Sequence, residues 1–234
     1  MVVSQSVLAE ASPETIANFV LLPHVSWKTY ESLLADYEDQ AGPHFYFDNG
    51  LLEVKVLSAK HEKPNRTLAT LVNVLAEEMG INLENLGSMT CKRDDLLKGF
   101  EPDSCFYIQN AEAIAGKDTI DLMTEPPPDL VIEVDITSGT LDKLALFFAF
   151  GIPEVWRYHR GRVLIYRVEK QGYVESEHSL ALPILTAELA TQFVAEAAEM
   201  KSTAWLRYVR QWAREQLGAQ KQAQDQQPEN TDAG

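Results

Sequence analysis

The chain has 234 residues, 45% of them hydrophobic and 24% charged, which suits one globular domain with appendages and a core of its own. Its formal net charge is −15 at pH 7, and so acidic a surface disfavours tight, non-specific binding to a phosphate backbone unless basic residues cluster locally. Two cysteines, Cys91 and Cys105, without CxxC spacing, argue against a disulfide scaffold and a zinc site, and read as buried strand residues in a reducing compartment.

The N-terminus lacks the basic start and long apolar core of a secretory signal. No apolar run approaches membrane-spanning length, so no membrane association and a cytoplasmic location are expected. Residues 1–22 read as an N-terminal arm, with 15–22 as a short helix or an extended segment. Ser26 is the expected N-cap of a helix running to Asp39, with Tyr30, Leu33, Leu34 and Tyr37 on one face. Phe45-Tyr46-Phe47, then Asp48-Asn49-Gly50, then residues 51–56 predict a hairpin, because Asn-Gly supplies the positive φ of a tight turn.

A helix ending at Met79 follows, with Leu68, Leu71, Val72 and Leu75 at helical spacing and Gly80 as its stop. Pro64 belongs in a first turn, which predicts a start near His61. A strand is expected at 88–92, then a charged loop at Arg93-Asp94-Asp95, then a strand headed by Asp103 after Pro102. A polar loop spans 109–128, with a short helix at 111–115.

Residues 126–168 read PPPDLVIEVDITSGTLDKLALFFAFGIPEVWRYHRGRVLIYRV. The run 130–134 reads as a strand covered on both faces. A turn at 137–140 leads to an apolar helix from about Leu141, with Lys143 in its first turn, and then to strands at 155–158, 163–167 and 173–178. From Thr186 a long amphipathic helix, broken near Ser202, runs to about Gln216, and 218–234 reads as a disordered tail. The order predicts an α/β fold with a mixed central sheet flanked by helices. A core domain would span 23–185 and a C-terminal helical extension 186–217.

Asp103, Glu133 and Asp135 are acidic residues at strand ends, and Glu133 and Asp135 share a strand face if the strand continues. Carboxylates converging on one point make an oxygen-rich site suited to Mg²⁺ or Mn²⁺. A nearby lysine such as Lys143 orients a water or stabilises charge on a phosphoryl oxygen. These are the parts of metal-dependent phosphodiester hydrolysis.

EPDSCFYI, PPDLVIEVDIT, LDK and GIPEVWRY, together with FDNGLLEVKVLS followed by His61-Glu62, resemble the Uma2 (DUF820) family, which is abundant in cyanobacteria. The resemblance runs from about Trp27 to Arg167. It implies a restriction-endonuclease-like fold of the PD-(D/E)XK superfamily and an endonuclease acting on nucleic acid with Mg²⁺ or Mn²⁺. Asp103 then corresponds to the aspartate of the PD motif and Glu133 to the acidic residue of (D/E)XK. Asp135 stands where that motif places lysine, and Lys143 on the following helix fits the displaced lysine. Asp103, Glu133 and Lys143 are thus the expected catalytic residues, with Asp103, Glu133, Asp135 and Glu62 as metal ligands. Pairing of two copies is also expected.

Each residue also has a structural reading. Asp103 caps a turn, Glu133 pairs with Lys143, Asp135 bonds the following turn, His61 starts a helix, and Trp156 and Tyr158 pack in a core. Lys92, Arg93, Lys98, Arg157, Arg160 and Arg162 form either a basic rim or an ordinary solvated surface. The rival function is a catalytically silent nuclease-like scaffold that binds a protein partner or a second copy through the 186–216 helix.

Overall fold

The computed structural model describes residues 19–37, 42–135 and 141–225. β1 (Phe19–Leu22) precedes α1 (Trp27–Tyr37), and the Ser26 hydroxyl accepts the Thr29 N–H at 3.1 Å, as the sequence predicts. The end expected at Asp39 falls outside the described residues. β2 (His44–Asp48) and β3 (Leu51–Lys55) form the expected hairpin, with Asn49 at φ 47° and Gly50 at φ 94°.

α2 spans Ala59–Met79, with Gly80 closing it in the left-handed conformation. It starts earlier than Pro64 suggests, because the Ser58 side chain caps it. Pro64 therefore lies past the first turn, and the carbonyl it leaves without a partner belongs to exposed Lys60, where water can serve it.

The strand expected at 88–92 is instead two short strands in different sheets, β4 (Glu84–Gly87) and β5 (Cys91–Arg93). The ladder shifts register between Asn85 and Gly87, and Gly87 at φ 58° turns the chain from one sheet to the other. A 3-10 turn (Asp94–Leu96) leads to β6 (Lys98–Phe100). The chain then crosses back at Pro102 into β7 (Ser104–Tyr107). Asp103 therefore stands where the backbone passes between the sheets.

α3 (Ala111–Ile114), β8 (Leu130–Asp135), α4 (Lys143–Ala149), β9 (Glu154–His159), β10 (Arg162–Glu169) and β11 (Gly172–Ser176) follow. α5 (Ala187–Glu199) starts on Thr186, whose hydroxyl accepts the Leu189 N–H at 3.1 Å, and α6 (Ser202–Asp225) follows the expected break. Residues 218–225, expected to be disordered, thus continue α6, since Ala, Gln and Lys are good helix formers.

The expected mixed sheet is the six-stranded one, in the order β11-β10-β9-β8-β7-β4; only the β8–β9 pair is parallel. A second, five-stranded antiparallel sheet runs β1-β3-β2-β6-β5. β8 is buried along its whole length. Its Leu130 and Ile132 join the core made with α2, α5 and α6. Val131 faces the other way, into a core shared with α4 and with Tyr46, Cys91 and Phe100 of the five-stranded sheet. Glu133 and Asp135 follow Val131 at two-residue steps and share its face.

In β2 and β3, Phe45, Phe47 and Leu52 pack with Tyr30 of α1. The alternate residues His44, Tyr46, Glu53 and Lys55 consequently face away from α1, toward the six-stranded sheet. Gly99 on β6 lets this packing close, because a Cβ there would lie 2.2 Å from the Tyr30 hydroxyl. The apolar stripe of α6, Trp205, Val209 and Ala213, is buried in its own chain's core. That face is therefore spent within the molecule, and a partner of this helix would have to meet its other faces. Among the described residues, no helix is long and apolar enough to cross a membrane.

Candidate active site

The two sheets meet at a buried cluster of charge. Asp103 enters at the chain crossing and is 3% exposed; Glu133, at 1%, comes from β8. The Asp103 carboxylate accepts the Val134 N–H at 2.6 Å through Oδ2, which ties the crossing to β8 beside Glu133. Asn65 of α2 fixes the same crossing: its amide donates to the Asp103 carbonyl at 3.0 Å, and its oxygen accepts from the Ser104 hydroxyl at 2.8 Å.

Lys55 projects from β3 and joins the two acids. Its ammonium lies 3.2 and 3.1 Å from the two oxygens of Asp103, 2.8 Å from Glu133 Oε1 and 3.0 Å from the Val134 carbonyl. Burial alone would lower its pKa, but the charges of Glu133 and Asp103 outweigh that and raise it above the ordinary lysine value, so it is cationic.

Lys143 is the first residue of α4, whose start is fixed by the Asp142 carboxylate accepting the Ala145 N–H at 3.1 Å. Its ammonium lies 2.6 Å from Glu133 Oε1, 3.3 Å from Glu53 and 3.9 Å from Asp135. It also sits 3.8 Å from the ring centroid of Tyr46, a close cation–π contact. The Tyr46 hydroxyl donates to both Glu133 oxygens, at 3.0 and 2.8 Å. Burial first, then the Glu133 and Asp103 charges, push that phenol well above its usual pKa and keep it a donor.

On the α2 side, His61 Nε2 lies 3.0 Å from Asp103 Oδ2 and His44 Nδ1 lies 3.4 Å from Oδ1. Among the described residues, neither nitrogen has hydrogen-bond alignment with a partner. Burial alone would raise the Asp103 pKa. Lys55 and the two imidazoles more than offset this and hold the carboxyl well below the usual range.

The predicted residues thus fall into two sets. Asp103, Glu133 and Lys143 meet in one buried cluster. Asp135 stands at its edge, 3.9 Å from Lys143, and is held by the Arg157 guanidinium; the turn it is expected to bond lies outside the described residues. Glu62 has no contact with either acid. It pairs with Arg66 one turn along α2, while its neighbour His61 reaches Asp103.

Sequence reasoning missed Glu53, Lys55, Tyr46 and His44. In LLEVKV the charges alternate with apolar residues, which ordinarily means a solvent-facing row. Here that row faces the second sheet. The available signal was the cross-strand pairing: a hairpin closed at Asn49-Gly50 puts Tyr46 opposite Glu53 and His44 opposite Lys55 on one face.

Two openings flank the cluster. A pocket of about 100 Å³ is walled by Glu133, Asp135, Lys143 and Arg157 together with apolar residues of α4 and β9. A groove of about 750 Å³ on the other side includes Asp103, His44, Glu62, Asn65 and Lys92. The basic rim is largely neutralised. Lys92 pairs with Glu31, Arg93 with Asp95, Lys98 with Asp48 and Arg157 with Asp135.

A divalent ion of the expected kind does not fit this donor set. Mg²⁺ demands near-octahedral oxygen ligands at about 2.0–2.1 Å. Here the Asp103 oxygens are taken up by Lys55 and the Val134 N–H, and those of Glu133 by Lys55, Lys143 and Tyr46. Among the described residues, no group of three or more His, Cys, Asp or Glu side chains is arranged to hold a metal ion.

A mixed α/β fold with an acidic pair and lysine at the junction of its sheets defines a restriction-endonuclease-like class of protein. The family comparison agrees: residues 27–198 match the family model Uma2, described as "Putative restriction endonuclease", and the chain belongs to that family. The match extends past Arg167 and takes in most of α5. A solved structure from Anabaena variabilis ATCC 29413, described as a putative nuclease belonging to DUF820, is similar at 13% identity and a TM-score of 0.49. That likeness covers 69% of this chain and 98% of the other. No curated protein is similar enough to match.

Proposed function

We propose that the chain hydrolyses phosphodiester bonds in nucleic acid, with Asp103, Glu133 and Lys143 as the acting residues. The observation that carries this reading is the meeting of Glu133 and Lys143 at 2.6 Å on the wall of a pocket. A phosphoryl group entering there would meet the Lys143 ammonium, which can neutralise charge on a non-bridging oxygen. Glu133 beside it is the acceptor for a proton of the attacking water as the water oxygen bonds to phosphorus and the P–O ester bond breaks, the leaving oxygen taking a proton from solvent. Asp103 holds Lys55 and the strand end in place. Nucleases of this class generally use a divalent metal ion, but no step is assigned to one here, because the acidic pair is filled by the protein's own donors. Pairing of two copies belongs to the same proposal, and light scattering tests it.

The test is cleavage of a panel of single- and double-stranded DNA and RNA, with and without Mg²⁺ or Mn²⁺. Lys143→Ala is expected to lower the rate by roughly 10²–10⁴-fold. A wild-type chain that cleaves nothing under any condition contradicts the proposal and favours the silent scaffold. Two observations already lean toward that second reading: the acidic pair is fully engaged by neighbouring side chains, and the net charge of −15 leaves few free cations for phosphate contacts.

A further inference from the structure

Lys55 is placed as a bound cation would be. Four oxygens surround its ammonium within 3.2 Å: both of Asp103, one of Glu133 and the Val134 carbonyl. That is an oxygen cage built by the two acids of the expected metal site plus a backbone carbonyl of β8, the strand that carries Glu133. We propose that the Lys55 ammonium takes the place of the shared divalent cation in this chain, so that Asp103 and Glu133 take up no Mg²⁺ or Mn²⁺ while Lys55 is present. The inference rests on these two acids being the pair of the proposed site, but not on that site turning over.

Three features hold the ammonium there. β3 lies between β1 and β2 in its sheet, so the strand carrying Lys55 is paired on both sides. The residue is 7% exposed, and neither the pocket nor the groove includes it in its walls. Its cross-strand neighbour His44 closes one flank, and Glu133, bonded to Tyr46 and Lys143, closes another.

The charges agree with this arrangement. Glu53, Asp103, Glu133 and Asp135 bring four carboxylates to the junction, and Lys55, Lys143 and Arg157 bring three cations. Among the described residues, one Glu53 oxygen, Oε2, is buried without a hydrogen-bond partner, so some demand for positive charge or a donor persists on the Lys143 side. Removing Lys55 would leave the acids with far too little countercharge, and a divalent ion is then the natural replacement. Methionine has nearly the length of lysine and no charge, so Lys55→Met vacates the cage with little change of shape.

The experiment is Mn²⁺ uptake by the full chain, read from loss of the free-ion electron paramagnetic resonance signal, alongside thermal unfolding. Wild type is expected to remove no Mn²⁺ in a manner that depends on Glu133; uptake unchanged by Glu133→Gln belongs to the acidic surface and agrees with the proposal. Lys55→Met is expected to gain about one tight ion per chain, lost again in Lys55→Met/Glu133→Gln. Its midpoint should rise by roughly 5–10 °C at Mn²⁺ near about one hundred times its dissociation constant. A folded Lys55→Met that takes up no ion overturns the proposal. If that variant does not fold, wild type alone decides, because stoichiometric uptake abolished by Glu133→Gln also overturns it. A wild type that cleaves no substrate contradicts the proposed function and leaves this inference standing.

Discussion

Glu133 and Glu154 are two buried carboxylates on neighbouring strands of one sheet, and they are satisfied in opposite ways. Glu154, with no exposed surface, accepts only from neutral donors: the Ser179 hydroxyl at 2.7 Å, the Leu180 and Ala181 N–H groups at 2.5 and 3.0 Å, and the Trp156 indole. It pins the loop after β11 to the sheet, as a staple would, and its donors other than the indole come from one segment. Glu133 instead accepts from two ammonium groups and a phenol that arrive on three different elements, and it lines a pocket. Neutral, local and complete is the pattern of a structural carboxylate. Charged, convergent and beside a pocket is the arrangement that the proposed function needs at Glu133.

The contrast can be broken by substitution. Glu154→Ala should be the most destabilising change. It strands four donors, three of them buried, and opens a cavity, at a cost of about 3–5 kcal/mol seen in denaturant unfolding. A loss under about 1 kcal/mol would mean the loop holds without its staple. Glu133→Gln should cost less, roughly 1–3 kcal/mol, because Lys55 keeps Asp103 and Lys143 keeps Glu53 as partners. If Glu133→Gln proves the worse of the two, the cluster is a structural ion network and the contrast fails.

Acid titration sharpens the same point at Asp103. Its folded pKa lies below that of the unfolded chain, near about 3.9. The stabilisation it gives is therefore fully present above the unfolded value and is lost as pH falls through the folded one. Wild type should lose stability steeply across that acid window. Asp103→Asn should be less stable at neutral pH and show a flatter decline below about pH 4; parallel curves would show that Asp103 carries no such linkage. The smallest effect is expected at the groove rim, where Lys92 and Glu31 form an exposed pair. Lys92→Ala should change stability by no more than about 0.5 kcal/mol.

Much of the fold is legible in the amino-acid sequence alone. Asn49-Gly50 marks a hairpin, Gly80 ends a helix, and the proline-bounded run to Asp135 is a buried strand with two acids on one face. Asp103, Glu133 and Lys143 carry local marks, a preceding proline, a strand end and a helix start, and the family resemblance is what groups them. Lys55 carries no such mark, because its meaning depends on which face of the hairpin meets a second sheet. Nor do the two crossings at Gly87 and Pro102, where short strands that look continuous along the chain pair in different sheets. His61 reads in sequence as a plain helix-start residue, and only the early start of α2 at Ser58 turns it toward Asp103.

Diffraction from crystals soaked in Mn²⁺, with data collected for the anomalous signal, distinguishes a lysine from a metal ion between the two acids. The Lys55 side chain is expected between Asp103 and Glu133, with no anomalous peak there. A manganese peak bridging those two carboxylates, with Lys55 displaced, would contradict that expectation.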